Sequence, residues 1–183
     1  MRIKFYESNK MEENLVSDKI YIGVDPGLAG GIGFILSSDN YFVVDMPIVK
    51  VGKYNKLVPK KIKDIITGDN TYSLENCFCV IEKSQAMPGQ GVCSMHTIGL
   101  NYGIIVGILA CLGIEYIEIS SRKWQKEFFE PGDTKVKSVN IASKLFPKCE
   151  FVTKRGRKID GRADAMLMAE YGRRINKSSS VII

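Results

Sequence analysis

An α/β domain built on one mixed sheet of five strands is the fold class that the 183-residue chain predicts. Two apolar runs, Tyr21 to Asp25 and Cys77 to Glu82, are too continuous to leave one face in water, and each ends in an acid. Stretches with helical periodicity lie between and after them, so strands and helices share one chain.

The first strand carries Ile22 and Val24, delivers Asp25 to its end and stops at Pro26-Gly27. Gly31 to Leu36 follows at hairpin distance, and its glycines permit close approach of a ligand or a backbone. Tyr41 to Asp45 completes a three-strand antiparallel meander that Pro47 ends. Lys50 to Lys63 is basic and reads first as irregular, then as a short helix after Pro59 that closes at Asp69-Asn70. Cys77 to Glu82 is a central parallel strand, and Gln85 to Ser94 is a loop that leaves directly from it.

Ser94 is placed to cap a helix reaching about Leu112. The run from Ile98 to Ile114 has no charge, but it is short for a membrane span and is interrupted by Asn101 and four glycines, so it reads as a buried helix of a soluble protein. Gly99, Gly103 and Gly107 leave one helical face bare, which predicts close packing within the chain or, alternatively, across a dimer. Glu115 to Ile119 alternates as the last strand, and Ser120 or Ser121 starts a basic helix with Trp124 read as core. A helix from Thr134 to Phe146 follows, then a basic loop, Lys154 to Lys158, and a final helix from about Asp160. Residues 1–18 read as a loose leader, 19–175 as the domain and 176–183 as a disordered tail.

The formal charge is +6 and unevenly spread: residues 1–120 carry 11 Lys and Arg against 13 Asp and Glu, residues 121–183 carry 15 against 7. A polyanion partner is implied, nucleic acid ahead of membrane, with a merely solvated basic face as the alternative. Five scattered cysteines form no CxxC pair and have one histidine for company, which argues against a zinc site and suits an intracellular, reducing compartment.

An acid at the end of a buried strand is costly unless a cation or hydrogen-bond donors compensate it, so Asp25 marks a candidate metal site; a simple Asp-Pro-Gly turn is the alternative. Ligands of open α/β sheets bind beyond such strand ends, and Glu82 meets Asp25 there if their strands are neighbours; a structural salt bridge from Glu82 to Lys83 or another cation is the other reading. Asp160 and Asp164, four apart, share a helix face where like charges repel unless a cation is shared; ordinary acids at a helix N-terminus are the alternative, above all for Asp160.

The element order describes the ribonuclease H-like fold, and residues 20–174 resemble the RuvC-type Holliday-junction resolvases, particularly the phage and monokaryotic-chloroplast branch. The resemblance rests on IGVDPGLAGGIGF, VIEKSQAMPGQGVCSM, NYGIIVGILACLGI, SSRKWQK and DGRADAMLMAEYGRR. It implies a homodimeric endonuclease that cuts four-way DNA junctions with two Mg²⁺ ions per site, Mn²⁺ substituting. Asp25, Glu82 and Asp164 match its catalytic metal ligands, while Asp160 stands where that branch commonly has His. The resemblance further implies base contacts from Gln85, Met87 and Gln90. Phosphate contacts would come from Lys135, Lys137, Arg155, Arg157, Lys158 and Arg162. Hard carboxylate oxygens suit Mg²⁺ chemistry at phosphorus independently of the resemblance. Cleavage of an RNA–DNA hybrid and junction binding without catalysis are the two alternative functions.

Overall fold

The computed structural model describes residues 19–68, 71–85, 89–130 and 136–179. The elements are β1 (Ile20–Asp25), β2 (Gly31–Ile35), β3 (Tyr41–Asp45), β4 (Ile48–Val51), β5 (Tyr54–Leu57), α1 (Pro59–Thr67), β6 (Cys77–Glu82), α2 (Val92–Cys111), β7 (Glu115–Ile119), α3 (Ser121–Gln125), α4 (Val136–Leu145) and α5 (Asp160–Ser179). Five strands form one mixed sheet in the order β3-β2-β1-β6-β7, antiparallel through the first three and parallel from β1 to β6 to β7. The predicted mixed five-stranded sheet is therefore present.

Alternation of side chains along β1 and β6 divides the interior in two. Ile22, Val24, Cys79 and Ile81 face α1 and α2, where they meet Ile62, Ile66, Ile105 and Leu109. Phe78 and Val80 face the other way, into a core with Trp124, Val139, Ala142, Met166 and Leu167. Glycine sets the spacing on this second side. A Cβ at Gly23 would collide with the carbonyl of Ala165, and one at Gly33 would lie 2.8 Å from Met166 Sδ. The backbone of α5 consequently rests directly on β1 and β2.

Four expectations need correction. The stretch after Pro47 is not irregular: β4 and β5 pair as a hairpin with Gly52 in the left-handed region at its turn, where φ is 61°. Helix α2 is not buried, and it starts at Val92 with Gly91, not Ser94, at its cap. Only Asn101, Ile105 and Leu109, a single stripe at four-residue spacing, are buried along it. By length and composition α2 is apolar enough to cross a membrane, with 17% of its apolar window buried. No close packing within the chain occupies its glycine face either, because a Cβ at Gly99, Gly103 or Gly107 would meet nothing within 4 Å among the described residues. Finally, α5 continues to Ser179, past the expected tail boundary at 176, since no proline or further glycine follows Gly172 to stop it. Helix α1 ends at left-handed Gly68, whose N–H donates to the Ile65 carbonyl. The leader at 1–18, the expected helix stop at 69–70, Met87, Lys135 and residues 180–183 lie outside the described residues.

Candidate active site

Register brings the first two acids together. Parallel pairing of β1 with β6 places Val24 opposite Ile81, so Asp25 and Glu82 leave the sheet side by side. Pleating sends both toward the side covered by α5, because Asp25 follows Tyr21 and Gly23 in phase, and Glu82 follows Phe78 and Val80. Asp25 Oδ1 accepts the Gly27 N–H at 3.0 Å, an Asx turn that holds the carboxylate against the glycine loop. Glu82 Oε2 accepts the indole N–H of Trp124 at 3.0 Å. That indole is wholly buried and meets Phe129 edge to face, so its N–H is a fixed donor. Lys83 extends the ladder, its backbone N–H donating to Ile119 O at 2.7 Å.

A cleft of about 540 Å³ opens over the two strand ends. Asp25, Gly27, Glu82, Lys83 and Gln85 line one wall, and Ser94, Thr97 and Asn101 from the first half of α2 line the other. Asp164 is half-buried on the second turn of α5, and Asp160 is exposed at its start. That start leans on the glycine loop after β1: a Cβ at Gly161 would strike the Ala29 carbonyl, and one at Gly31 would lie 3.1 Å from Gly161 O. The structure thus brings Asp25 and Glu82 into one cleft and sets Asp164 on a helix fixed against the same loop. Neither Asp160 nor Asp164 lines the cleft, and among the described residues no three acidic, His or Cys side chains gather closely enough to hold a metal ion. Cys77 and Cys79 lie in the sheet away from the cleft, where burial pushes Cys77 up to about 11 and raises Cys79 further, keeping both protonated.

The chain is similar in structure to Thermus thermophilus RuvC, with a TM-score of 0.53 at 13% identity over 86% of this chain and 96% of that one. T. thermophilus RuvC in complex with a Holliday junction substrate gives 0.54 at 11% identity, covering 88% and 96%. The fold is RuvC-like. No protein-family model and no curated protein matches the sequence.

Around this RuvC-like sheet the predicted DNA-contact residues divide into two groups. Gln85 borders the cleft, and Gln90 is half-buried just before α2. Lys137 is exposed on α4, and Arg155, Arg157 and Lys158 are exposed on a loop closed by a bridge between Val152 and Lys158. Arg162 has another partner. Its Nε and Nη2 reach Asp45 at 2.6 and 2.8 Å, and its Nη1 donates to Glu150 O at 3.0 Å. The guanidinium holds the Asp45 carboxyl below the usual range, and the pair ties the end of β3 to the first turn of α5. Sequence reasoning missed this fork and the Trp124 bond to Glu82, both joining residues far apart in the chain. It read Trp124 as core, which is right for its ring and silent about its N–H.

Proposed function

We propose that the protein is a metal-dependent endonuclease that resolves four-way DNA junctions by paired symmetric nicks, acting as a homodimer with one site per subunit. The observation that carries this reading is the adjacency of Asp25 and Glu82 in one cleft on a RuvC-like sheet. T. thermophilus RuvC, of the same fold, has been solved with a Holliday junction substrate.

Mg²⁺ fits such a cleft, because it is commonly held by one or two carboxylates and completes its shell with water and substrate phosphate. Asp25 and Glu82 would hold it, and Asp164 and Asp160, which stand outside the cleft, would act as outer ligands or, for Asp160, as base. When bound, the metal supplies an activated water and charge neutralisation at phosphorus. The chain's own residues do the positioning. The Gly27 N–H and the Trp124 N–H each fix one carboxylate oxygen, so both acids are oriented before substrate arrives. Lys83 adds positive charge at the mouth where a scissile phosphate would sit. Gln85, Met87 and Gln90, on the segment leaving Glu82, are placed in sequence to reach bases near the crossover.

Two opposed strands must be cut, which calls for two sites. The bare glycine face of α2 is the candidate surface for the second subunit. The test is incubation of purified protein with a synthetic four-way junction, with and without Mg²⁺, beside an RNA–DNA hybrid control. Junction nicking that needs Mg²⁺ is expected, and Asp25→Asn, Glu82→Gln and Asp164→Asn should each abolish it while leaving junction binding largely intact. Preferential hybrid cleavage, or full activity in the first two variants, would sink the reading.

A further inference from the structure

The β4–β5 hairpin has no part in the site described above, yet it carries an exposed surface both basic and apolar. Ile48 to Lys63 contains six lysines, at 50, 53, 56, 60, 61 and 63, and no acid. These are six of the 11 basic residues in the first 120, so the near-neutral first part of the chain holds a second basic centre. All six are exposed, and Lys60 pairs with Asp64, just past the stretch, at 2.7 Å. Apolar groups are interleaved with them: Val49 and Val51 are each 47% exposed and Tyr54 is 63% exposed. Register pairs Val49 with Lys56 and Val51 with Tyr54, so these four share one face of the ribbon. Lys53 at the turn lies 5.4 Å from the Tyr54 ring centroid, a cation beside an aromatic plate.

The ribbon is firmly rooted near the cleft. Leu57 and Met46 are buried in the core shared with α1 and α2. The Val58 N–H donates to Pro47 O at 2.9 Å, closing the base, and the Met46 N–H donates to Gly30 O at 3.0 Å, on the loop that follows Asp25. Asp25, Gly31 and Asp45 stand in register across three strands, so the ribbon departs from the same edge of the sheet as the two carboxylates.

We propose that this hairpin is a second DNA-contact element, which lays its lysines on the phosphates of a duplex arm and its Val49–Val51–Tyr54 face against sugars and base edges beside the branch point. The inference rests on the junction-nuclease reading and extends it to a surface outside the cleft. A two-stranded ribbon matches the width of a major groove. Apolar and aromatic side chains interleaved with cations are what a nucleic acid with partly unstacked bases accommodates. A ribbon that carries lysines and no acid also disfavours a second copy of itself as its partner, through like-charge repulsion.

The experiment measures binding of the full chain to a labelled four-way junction without divalent metal, across a series of salt concentrations. Replacing Lys50, Lys53 and Lys56 together by Ala should weaken binding at least tenfold and make the log–log salt slope shallower by up to about 2.7, at about 0.9 for each phosphate no longer neutralised. The same three positions as Arg should restore the slope, and Tyr54→Ala should lower affinity with the slope unchanged. An unaltered slope in the triple Ala variant, with melting temperature and junction cleavage intact, overturns the ribbon proposal and leaves the nuclease reading standing. So does an altered sedimentation coefficient with an unaltered slope, which would make the ribbon a subunit contact. A ribbon-dependent slope in a protein that cuts no junction would instead retain the ribbon and remove the nuclease.

Discussion

Glycine has opposite meanings on the two sides of the sheet. On the α5 side, Gly23 and Gly33 are strand residues whose missing side chains are filled by helix backbone. On the α2 side, Gly99, Gly103 and Gly107 are helix residues with nothing above them among the described residues. The first set records packing already made, and it decides where Asp164 can be. The second set costs helix stability without visible return inside the subunit. A spacing pattern of glycines therefore identifies a bare surface, and only the neighbouring element tells whether that surface is used.

Substitution separates the two cases most sharply at Gly23. Gly23→Ala should destabilise the protein by about 3 kcal/mol, because the added methyl meets backbone atoms that no rotamer change can move. Its urea midpoint should fall accordingly and cleavage should fail, since α5 can no longer sit on β1. A midpoint close to wild type would show that α5 lifts away freely and that the first half of the comparison is wrong. Trp124→Phe examines the same side with less force: it keeps most of the buried ring and removes the N–H bonded to Glu82. A loss of about 2 kcal/mol is expected from a bond to a charged group. The single-turnover cleavage rate should drop while junction affinity holds, and unchanged rates would leave Trp124 a core residue only.

On the α2 side Gly103→Ala should raise the stability of the isolated subunit by about 0.5–1 kcal/mol, as expected for an uncontacted helix interior. Gly103→Leu should leave the subunit folded but abolish a dimer seated on this face, with sedimentation and melting read together. A folded dimer with normal paired nicking would clear the face of that role. The smallest effect belongs to the fork that clamps the start of α5. Asp45 is held below its ordinary value by Arg162, so the stability it contributes is complete above the unfolded carboxyl value of about 3.9 and is lost as pH falls through its lower folded value. Arg162 is shifted upward and stays charged throughout that window. Asp45→Asn should flatten the acid-side decline below about pH 4 and leave neutral-pH cleavage nearly unchanged; an identical acid limb in the variant would show that the pair contributes nothing to holding α5.

What the sequence makes legible follows the same division. Strands β1 and β6 are legible because burial on both faces makes their apolar runs continuous up to Asp25 and Glu82, and parallel pairing of the two then follows from the fold class. Helix α2 is not, because an almost wholly apolar helix has no polar stripe to show which side is inward, and the buried residues are only Asn101, Ile105 and Leu109. The β4–β5 hairpin does leave a signal, β-branched Val49 and Val51 before a two-residue loop at Gly52-Lys53 and aromatic Tyr54 after it, but its lysines make the segment look like a solvated loop. No spacing rule pairs Trp124 with Glu82 or Arg162 with Asp45, since those bonds depend on how α3 and α5 pack.

The parallel ladder between β1 and β6 acts as a ruler. Separation of Asp25 from Glu82 is set by the inter-strand repeat of about 4.8 Å and by register, and the chain that connects them plays no part in it. The exposed ribbon and the loops between those two strands can grow, shrink or change their chemistry without disturbing the interval between the carboxylates. Such a scaffold lets the surface that chooses a substrate drift independently of the pair of acids that would act on it.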